Sequence, residues 1–378
     1  MRPRKLLKVL NVLANYEAGP SSVNILVYIP QFTAGGAELM MTQIAGALMA
    51  RGHGVAIVVD QTGPDRDLFD VRVPVEVIGR VGVVRAAWAL SRIARRRGAQ
   101  VVISALPVAN LVADLMLLVS GRRVKVINTW HGYFGSIRGV RSRFAQSIVA
   151  ILSRISHANV SVSADLLKSL RCAGASSSKF VVIYNGVHIQ NAGQSPVHGR
   201  RFIFSAGSLT RHKNHRLLIE AFARLGDAYD GDLLIAGQGP ELDALRALSE
   251  SLDIADRVHL VGFQSDIMTY MEQADIFVLP SDVESFGIVL VQAMAAGVPV
   301  ISTDAGGTRE VLGDGEFGTL IPVGDVAALA DAILRVLSEP MPDKGRLRER
   351  AEYFSIERVA AEYEALCRGL VAAVVGHS

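Results

Sequence analysis

The chain has 378 residues, half of them hydrophobic and a fifth charged. That is too long for one ordinary core and suits two domains built on buried parallel sheets. Cys172 and Cys367 lie far apart and no run of eighteen apolar residues occurs, which excludes a disulfide scaffold, a cysteine-built metal centre and a membrane-spanning helix.

Residues 1–22 open with basic residues, but Lys8 and Asn11 interrupt the apolar part and no small-residue cleavage site follows. They read as an N-terminal extension rather than a signal peptide. Strands are predicted at 24–30, 54–60, 73–78, 99–106, 125–130, 158–164 and 180–187, with amphipathic helices such as 37–50 and 84–97 between them. The longest apolar stretch, "NLVADLMLLVSG", is interrupted by Asp114. A polar segment at 191–200 reads as a linker. A second series follows, with strands at 201–209, 232–239, 258–263, 275–281, 299–307 and 318–323. Helices are predicted at 214–225, 240–251, 265–273, 286–296, 307–313 and 325–337. Residues 354–378 form a tail helix with no strand after it. The alternation predicts an α/β chain of two Rossmann-like, doubly wound domains, at 23–190 and 201–353. Ligands of such sheets bind beyond the carboxyl ends of the strands, so a cleft between the two domains is the expected site.

Charge is unevenly spread along this frame. Residues 1–190 carry 23 Lys and Arg against 9 Asp and Glu, while residues 191–378 carry 16 against 27. The basic half implies an anionic partner or surface. "RIARRR" (92–97), "RRVK" (122–125) and the amphipathic stretch 138–155 concentrate the arginines, as expected of contact with an anionic membrane surface.

Three segments bear chemistry. In "FTAGGAELMM", Gly35 and Gly36 let backbone approach a ligand, and the helix after them offers free N–H groups to an anion. This is not the dinucleotide fingerprint, although Asp60 at the end of the second strand imitates its ribose-binding acid. In "SLTRHKNHRLLIEAF", Lys213, Arg211 and His212 form a cationic loop above a helix N-terminus, which suits a diphosphate. In "VLPSDVESFGIVLVQAMAAGVPVIS", the helix is expected to begin near Ser285–Phe286, with Gly287 close to the ligand and Gly297 as its stop. Ser285 and Gln292 are then seven apart on one helix face, so Glu284 and Gln292 point the same way, towards sugar hydroxyls.

From Asn24 to the tail helix the chain resembles the retaining glycosyltransferases of family 4, which have the GT-B fold. The resemblance is carried by "GGAE" (35–38), "WHGYFG" (130–135), "YNGV" (184–187), "GSLTRHKN" (207–214), "GQGPE" (237–241), "ESFGIVLVQAMAAGVPVI" (284–301) and "GGTRE" (306–310). It implies two domains facing across a cleft and a C-terminal helix that crosses back to the first. It also implies a nucleotide-diphospho-sugar, UDP- or GDP-linked, bound mainly on the second domain and an acceptor mainly on the first. By resemblance, Glu284, Lys213 and His131 are the catalytic residues. The donor contacts are Gly35, Gly36, Ser208, Arg211, Lys213, Gly237, Ser285, Phe286, Gly287 and Gln292. Two departures stand out: Ser208 occupies a position where the family usually has Arg, and Gln292 one where it usually has Glu. A neutral amide still bonds a ribose hydroxyl but without charge assistance.

No metal ligand set and no cofactor is expected. "DRD" (65–67) lies in a loop of the first domain and reads as surface charge. Lys213, Arg211 and helix N-termini would stabilise the leaving diphosphate. The expected activity is sugar transfer to a saccharide acceptor, lipid-linked in cell-envelope or exopolysaccharide synthesis. The expected place is the cytoplasm, peripheral to the membrane, with no nucleic-acid partner. A GT-B nucleotide-sugar epimerase and a non-catalytic paralogue are the competing readings.

Overall fold

The computed structural model describes residues 22–32, 35–63, 65–66, 72–120, 124–133, 151–175, 177–189, 198–341 and 343–375. The N-terminal extension up to residue 21, most of the linker, Arg122 and Arg123, and the basic stretch up to residue 150 lie outside the described residues. The chain separates into two compact units, Met1–Gly186 with Ile356–Ser378, and Val187–Ser355.

The first unit holds strands β1 (Asn24–Gln31), β2 (Gly54–Gln61), β3 (Val75–Val77), β4 (Val101–Ala105), β5 (Lys125–Trp130), β6 (Ala158–Ser161) and β7 (Phe180–Val182). They form one parallel sheet in the order β3-β2-β1-β4-β5-β6-β7. Among the described residues its helices include α1 (Gly36–Ala50), α2 (Val83–Arg96), α3 (Pro107–Ser120) and α4 (Ala164–Cys172). The period-two alternation of β1 sends Ile25, Val27 and Ile29 to one core, against Met41, Ile44 and Leu48 of α1. Leu26 and Tyr28 go to the other, against Leu90 of α2 and Val112 and Met116 of α3. The apolar stretch around Asp114 is therefore α3, a crossover helix whose buried face contributes to this second core.

The second unit holds β8 (Phe202–Ala206), β9 (Asp232–Ala236), β10 (Val258–Gly262), β11 (Ile276–Leu279), β12 (Val300–Thr303) and β13 (Thr319–Ile321), in the parallel order β10-β9-β8-β11-β12-β13. Its helices are α5 (His215–Leu225), α6 (Leu242–Ser251), α7 (Ile267–Gln273), α8 (Ile288–Ala296), α9 (Gly307–Val311), α10 (Val326–Ser338) and α11 (Lys344–Glu352). In both sheets the order reverses beside the first strand, between β1 and β4 and between β8 and β11. Such switch points open a crevice at the strand carboxyl ends.

The tail helix α12 (Ile356–Val375) belongs to the first unit. Ile356, Val359, Tyr363, Leu366 and Cys367 form one stripe in the α1-side core. Glu364 anchors it further, pairing with Arg51, with Arg368 at 2.6 Å and with His53 at 3.3 Å.

A buried polar network runs through the first unit. Asn128 donates to Asp114 Oδ2 at 2.9 Å, and the Ser104 hydroxyl lies 2.9 Å from Asn128 Oδ1 and 2.7 Å from Asn110 Oδ1. Burial pushes the Asp114 carboxyl up to about 7, against smaller opposing pulls from Asn128 and Lys179. The folded chain thus holds a proton that the unfolded chain releases near pH 4. This contribution to stability is present at low pH and is lost as pH rises from 4 to 7. Asp114→Asn is expected to remove it, so that the variant gains about 2 to 4 kcal/mol over wild type between pH 4 and pH 8. Denaturant unfolding at the two pH values checks this, and parallel pH profiles for both proteins would refute it.

Candidate functional site

In the second unit, the site grows from the loops after β8 and β11, on either side of the switch point. The loop after β8 carries a single 3-10 turn, Arg211–Lys213, which ends at Asn214 in a left-handed conformation, φ 47°. Asn214 caps α5, its Oδ1 accepting from Leu217 N–H at 3.2 Å. Its amide donates to Asp282 Oδ1 at 2.7 Å, and Asp282 N–H donates to the His212 carbonyl at 2.8 Å. These bonds join the two loops and leave Lys213 Nζ 2.5 Å from Glu284 Oε2. Glu284 is 9% exposed.

Glu284 is held by its backbone as well. Its N–H donates to the Ala305 carbonyl at 2.8 Å, and its carbonyl accepts from Gly307 N–H at 2.9 Å. A β-bridge to Gly306 results. The paired glycines of "GGTRE" follow from this: Gly306 has φ 95°, and a Cβ on Gly307 would meet the Ser285 carbonyl oxygen at 2.1 Å.

The helix expected from Ser285–Phe286 begins instead at Ile288. Glu284 alone pairs with 305–307, residues 285–286 form a bend, and Gly287, at φ 92°, turns the chain into α8. Ser285 therefore lies outside the helix, and the seven-residue spacing to Gln292 places no common face. Gln292 itself is half-buried on α8. Phe286, expected among the donor contacts, is 1% exposed and packs edge-on against Phe354, centroids 5.4 Å apart, so its ring belongs to the core. Gly237 has a packing reason of its own: a Cβ there would meet the Gly207 carbonyl oxygen at 1.8 Å.

Arg211 is exposed. With Thr210, Asn214, Arg216, Glu241 and Asp282 it lines a cavity of about 410 Å³ between α5 and α6, of which Lys213 is not a wall residue. Ser208 is exposed in the same loop. His215, in the first turn of α5, is 2% exposed, and burial, then the Lys213 charge, hold its imidazole down to about 3, so it is neutral.

In the first unit, Gly35 is the N-cap of α1 and Gly36 its first residue. The helix N-terminus thus follows the carboxyl end of β1, as an anion site requires. His131 follows β5. Its Nε2 lies 2.9 Å from Thr129 Oγ1, which lies 2.8 Å from the Ser104 carbonyl. A carbonyl only accepts, so the hydroxyl proton goes there and Thr129 accepts from His131 Nε2–H. Burial holds the imidazole down to about 4, against a weaker upward push from Asn185 of "YNGV". His131 is thus a neutral imidazole with its lone pair on Nδ1. Asp60 accepts from the Tyr28 hydroxyl at 2.7 Å, which gives it a structural role rather than that of a ribose-binding acid. Asp65 and Arg66 are described, while Asp67 of "DRD" lies outside the described residues.

Sequence reasoning missed the residues that fix these groups. Asn214, Asp282 and Thr129 carry no chemistry of their own and become visible only through their partners. Leu106, with φ 79° at the end of β4, is a strained backbone site at the first switch point that only Pro107 after it hints at.

Residues 34–191 match the family model described as Glycosyltransferase Family 4, and residues 189–355 that of Glycosyl transferases group 1. The chain is 26% identical over 365 residues to N-acetyl-alpha-D-glucosaminyl L-malate synthase of Bacillus anthracis, covering 88% of this chain and 94% of that protein. It is 33% identical over 195 residues to the N-acetylgalactosamine-N,N'-diacetylbacillosaminyl-diphospho-undecaprenol 4-alpha-N-acetylgalactosaminyltransferase of Campylobacter jejuni, covering 50% of this chain and about half of that one, 53%. The solved sucrose-phosphate synthase of Thermosynechococcus elongatus superposes with a TM-score of 0.81 at 21% identity, over 93% of this chain and 100% of that one, and shares the fold. With both halves matched by its models, the chain belongs to the family 4, group 1 glycosyltransferases and has their GT-B fold.

Proposed function

We propose that the chain moves a sugar, with retention of anomeric configuration, from a UDP- or GDP-linked donor to a saccharide acceptor carried on a lipid. The observation that carries this reading is the Lys213–Glu284 pair at the switch point of the second sheet, a cation and an acid held ready by paired loops. In this reading Lys213 meets the leaving diphosphate and Glu284 the hydroxyls of the donor sugar. The diphosphate's negative charge is then met by Lys213 and helix N–H groups, so no divalent cation is needed at the reacting centre. In this reading the neutral His131, at the carboxyl end of β5, meets the donor sugar.

A lipid-carried acceptor is supported by two observations. The Campylobacter relative acts, by its name, on a diphospho-undecaprenol saccharide. In the first unit, α2 exposes Val84 and Trp88 beside Arg85, Arg92, Arg95 and Arg96, with Arg92 stacked 4.9 Å over the Trp88 ring. An apolar and basic face of this kind suits an anionic bilayer surface. Among the described residues no helix is long and apolar enough to cross a membrane.

The test is a panel of UDP- and GDP-sugars with soluble saccharides or polyprenyl-diphosphate saccharides in anionic or neutral vesicles, with and without magnesium or manganese. Transfer is expected with the lipid-linked acceptor, faster on anionic vesicles and without added metal, and NMR of the product should show the donor's anomeric configuration. An inverted product, or an isomerised donor sugar formed without acceptor, would overturn the reading.

Gln292 tests the same site from the nucleotide side. If its amide bonds ribose hydroxyls, Gln292→Glu offers stronger acceptors and is expected to tighten nucleoside diphosphate binding about fivefold. Titration calorimetry measures this, and weaker binding would mean that Gln292 acts as a donor.

A further inference from the structure

At the other end of the second sheet, three potential metal ligands converge that the transferase reaction does not use. Asp232 opens β9 and is 3% exposed. Its Oδ2 lies 2.6 Å from His198 Nε2 and 3.3 Å from His259 Nε2. His198 comes from the segment before β8, and His259 from β10. One potential ligand atom from each of the three side chains lies within 4.8 Å of the others. The imidazole centroids are 5.1 Å apart, and Phe202 meets the His198 ring edge-on at 5.8 Å, walling one side with an apolar face.

We propose that His198, Asp232 and His259 form a binding site for one zinc-type divalent cation. Two imidazoles and a carboxylate are a donor set that such a borderline cation prefers to magnesium or calcium, which take oxygen ligands. Metal–ligand bonds of about 2.0 to 2.1 Å at a tetrahedral centre put ligand atoms about 3.3 Å apart. The His259–Asp232 separation already has that value, and His198 needs to withdraw by about 0.7 Å. The His198 side chain is 22% exposed, which gives it room for this small movement.

The other carboxylate oxygen, Oδ1, faces the Arg200 guanidinium at 3.1 Å, which keeps Oδ2 turned towards the imidazoles. The Arg200 charge opposes a cation, but its side chain is 55% exposed and water screens it. His259 is 35% exposed, which leaves the fourth position to water. The site lies at the amino ends of the strands, about 13 Å of strand away from the Lys213 and Glu284 loops. Its effect is to tie the segment entering the second unit to β9 and β10, so it acts on stability and not on the sugar.

The test uses the full chain in a Cys172→Ser background, which removes the exposed thiol. Zinc is titrated against a chromogenic indicator, cobalt is followed by its visible absorption, and the unfolding temperature is recorded with zinc, cobalt or magnesium. One equivalent of zinc should bind, raise the unfolding temperature and give a tetrahedral or five-coordinate cobalt spectrum, while magnesium does neither. His198→Ala and His259→Ala should each weaken zinc binding by about 100-fold and abolish the temperature shift. Both side chains are partly exposed, 22% and 35%, and a circular dichroism spectrum verifies that the variants fold. Transfer activity in both variants should equal that of the parent. Zinc affinity unchanged in both variants, or stabilisation by magnesium equal to that by zinc, would overturn the proposal.

Discussion

Lys213→Ala is expected to lower turnover by about 100- to 1000-fold, the effect of removing one preorganised stabiliser of developing charge. The loss should fall on kcat more than on the binding of intact donor, because the leaving diphosphate gains charge only as the sugar–phosphate bond breaks. The structure adds a condition that a loop cation in solvent would not impose. Lys213 is 21% exposed and its ammonium lies against Glu284, so its removal leaves a buried carboxylate without its partner. A stability loss of about 1 kcal/mol is expected alongside the kinetic one, and pairing with Lys213→Met separates charge from packing. Single-turnover kinetics with saturating donor, together with denaturant unfolding, give both numbers. Near-normal turnover in a folded Lys213→Ala protein would remove Lys213 from the mechanism.

Glu284→Gln should cut kcat/KM by about 10- to 100-fold, the difference between a charged and a neutral hydrogen bond to sugar hydroxyls. The amide has the same shape, and the backbone bridge to Gly306 does not depend on the side chain, so the fold should survive. The pair suggests an exchange of partners. In the free protein Lys213 neutralises Glu284. When a diphosphate takes Lys213, the carboxylate is released to the sugar. Diphosphate binding should therefore strengthen in Glu284→Gln, where Lys213 no longer has a competing anion, even as transfer slows. An unchanged rate with unchanged nucleoside diphosphate affinity would place Glu284 outside the site.

The order of strands and helices was legible because its causes are local. Apolar runs such as Ile25–Ile29 need two covered faces, and alternating strand and helix signals permit little else than doubly wound sheets. Glu284 was also legible, since an acid at an apolar turn is costly without a use, whereas Lys213 was singled out by the resemblance, because a loop cation in water costs nothing.

What the sequence could not decide were positions set by partners distant in the chain. Phe286 looks like any exposed turn residue until Phe354 covers it, 68 residues later. The start of α8 depended on Glu284 bridging to Gly306, which keeps Glu284 out of the helix and leaves 285–286 as a bend before it. The tautomer of His131 followed from a carbonyl on the neighbouring strand. The convergence of His198, Asp232 and His259 came only from strand order, which sets β9 between β8 and β10. Hydrophobic periodicity and local turn chemistry are properties of a few consecutive residues, so the sequence alone determined the two-sheet class and the cationic and acidic loops. Which side chains meet is a property of register and topology, and only the tertiary structure decided that.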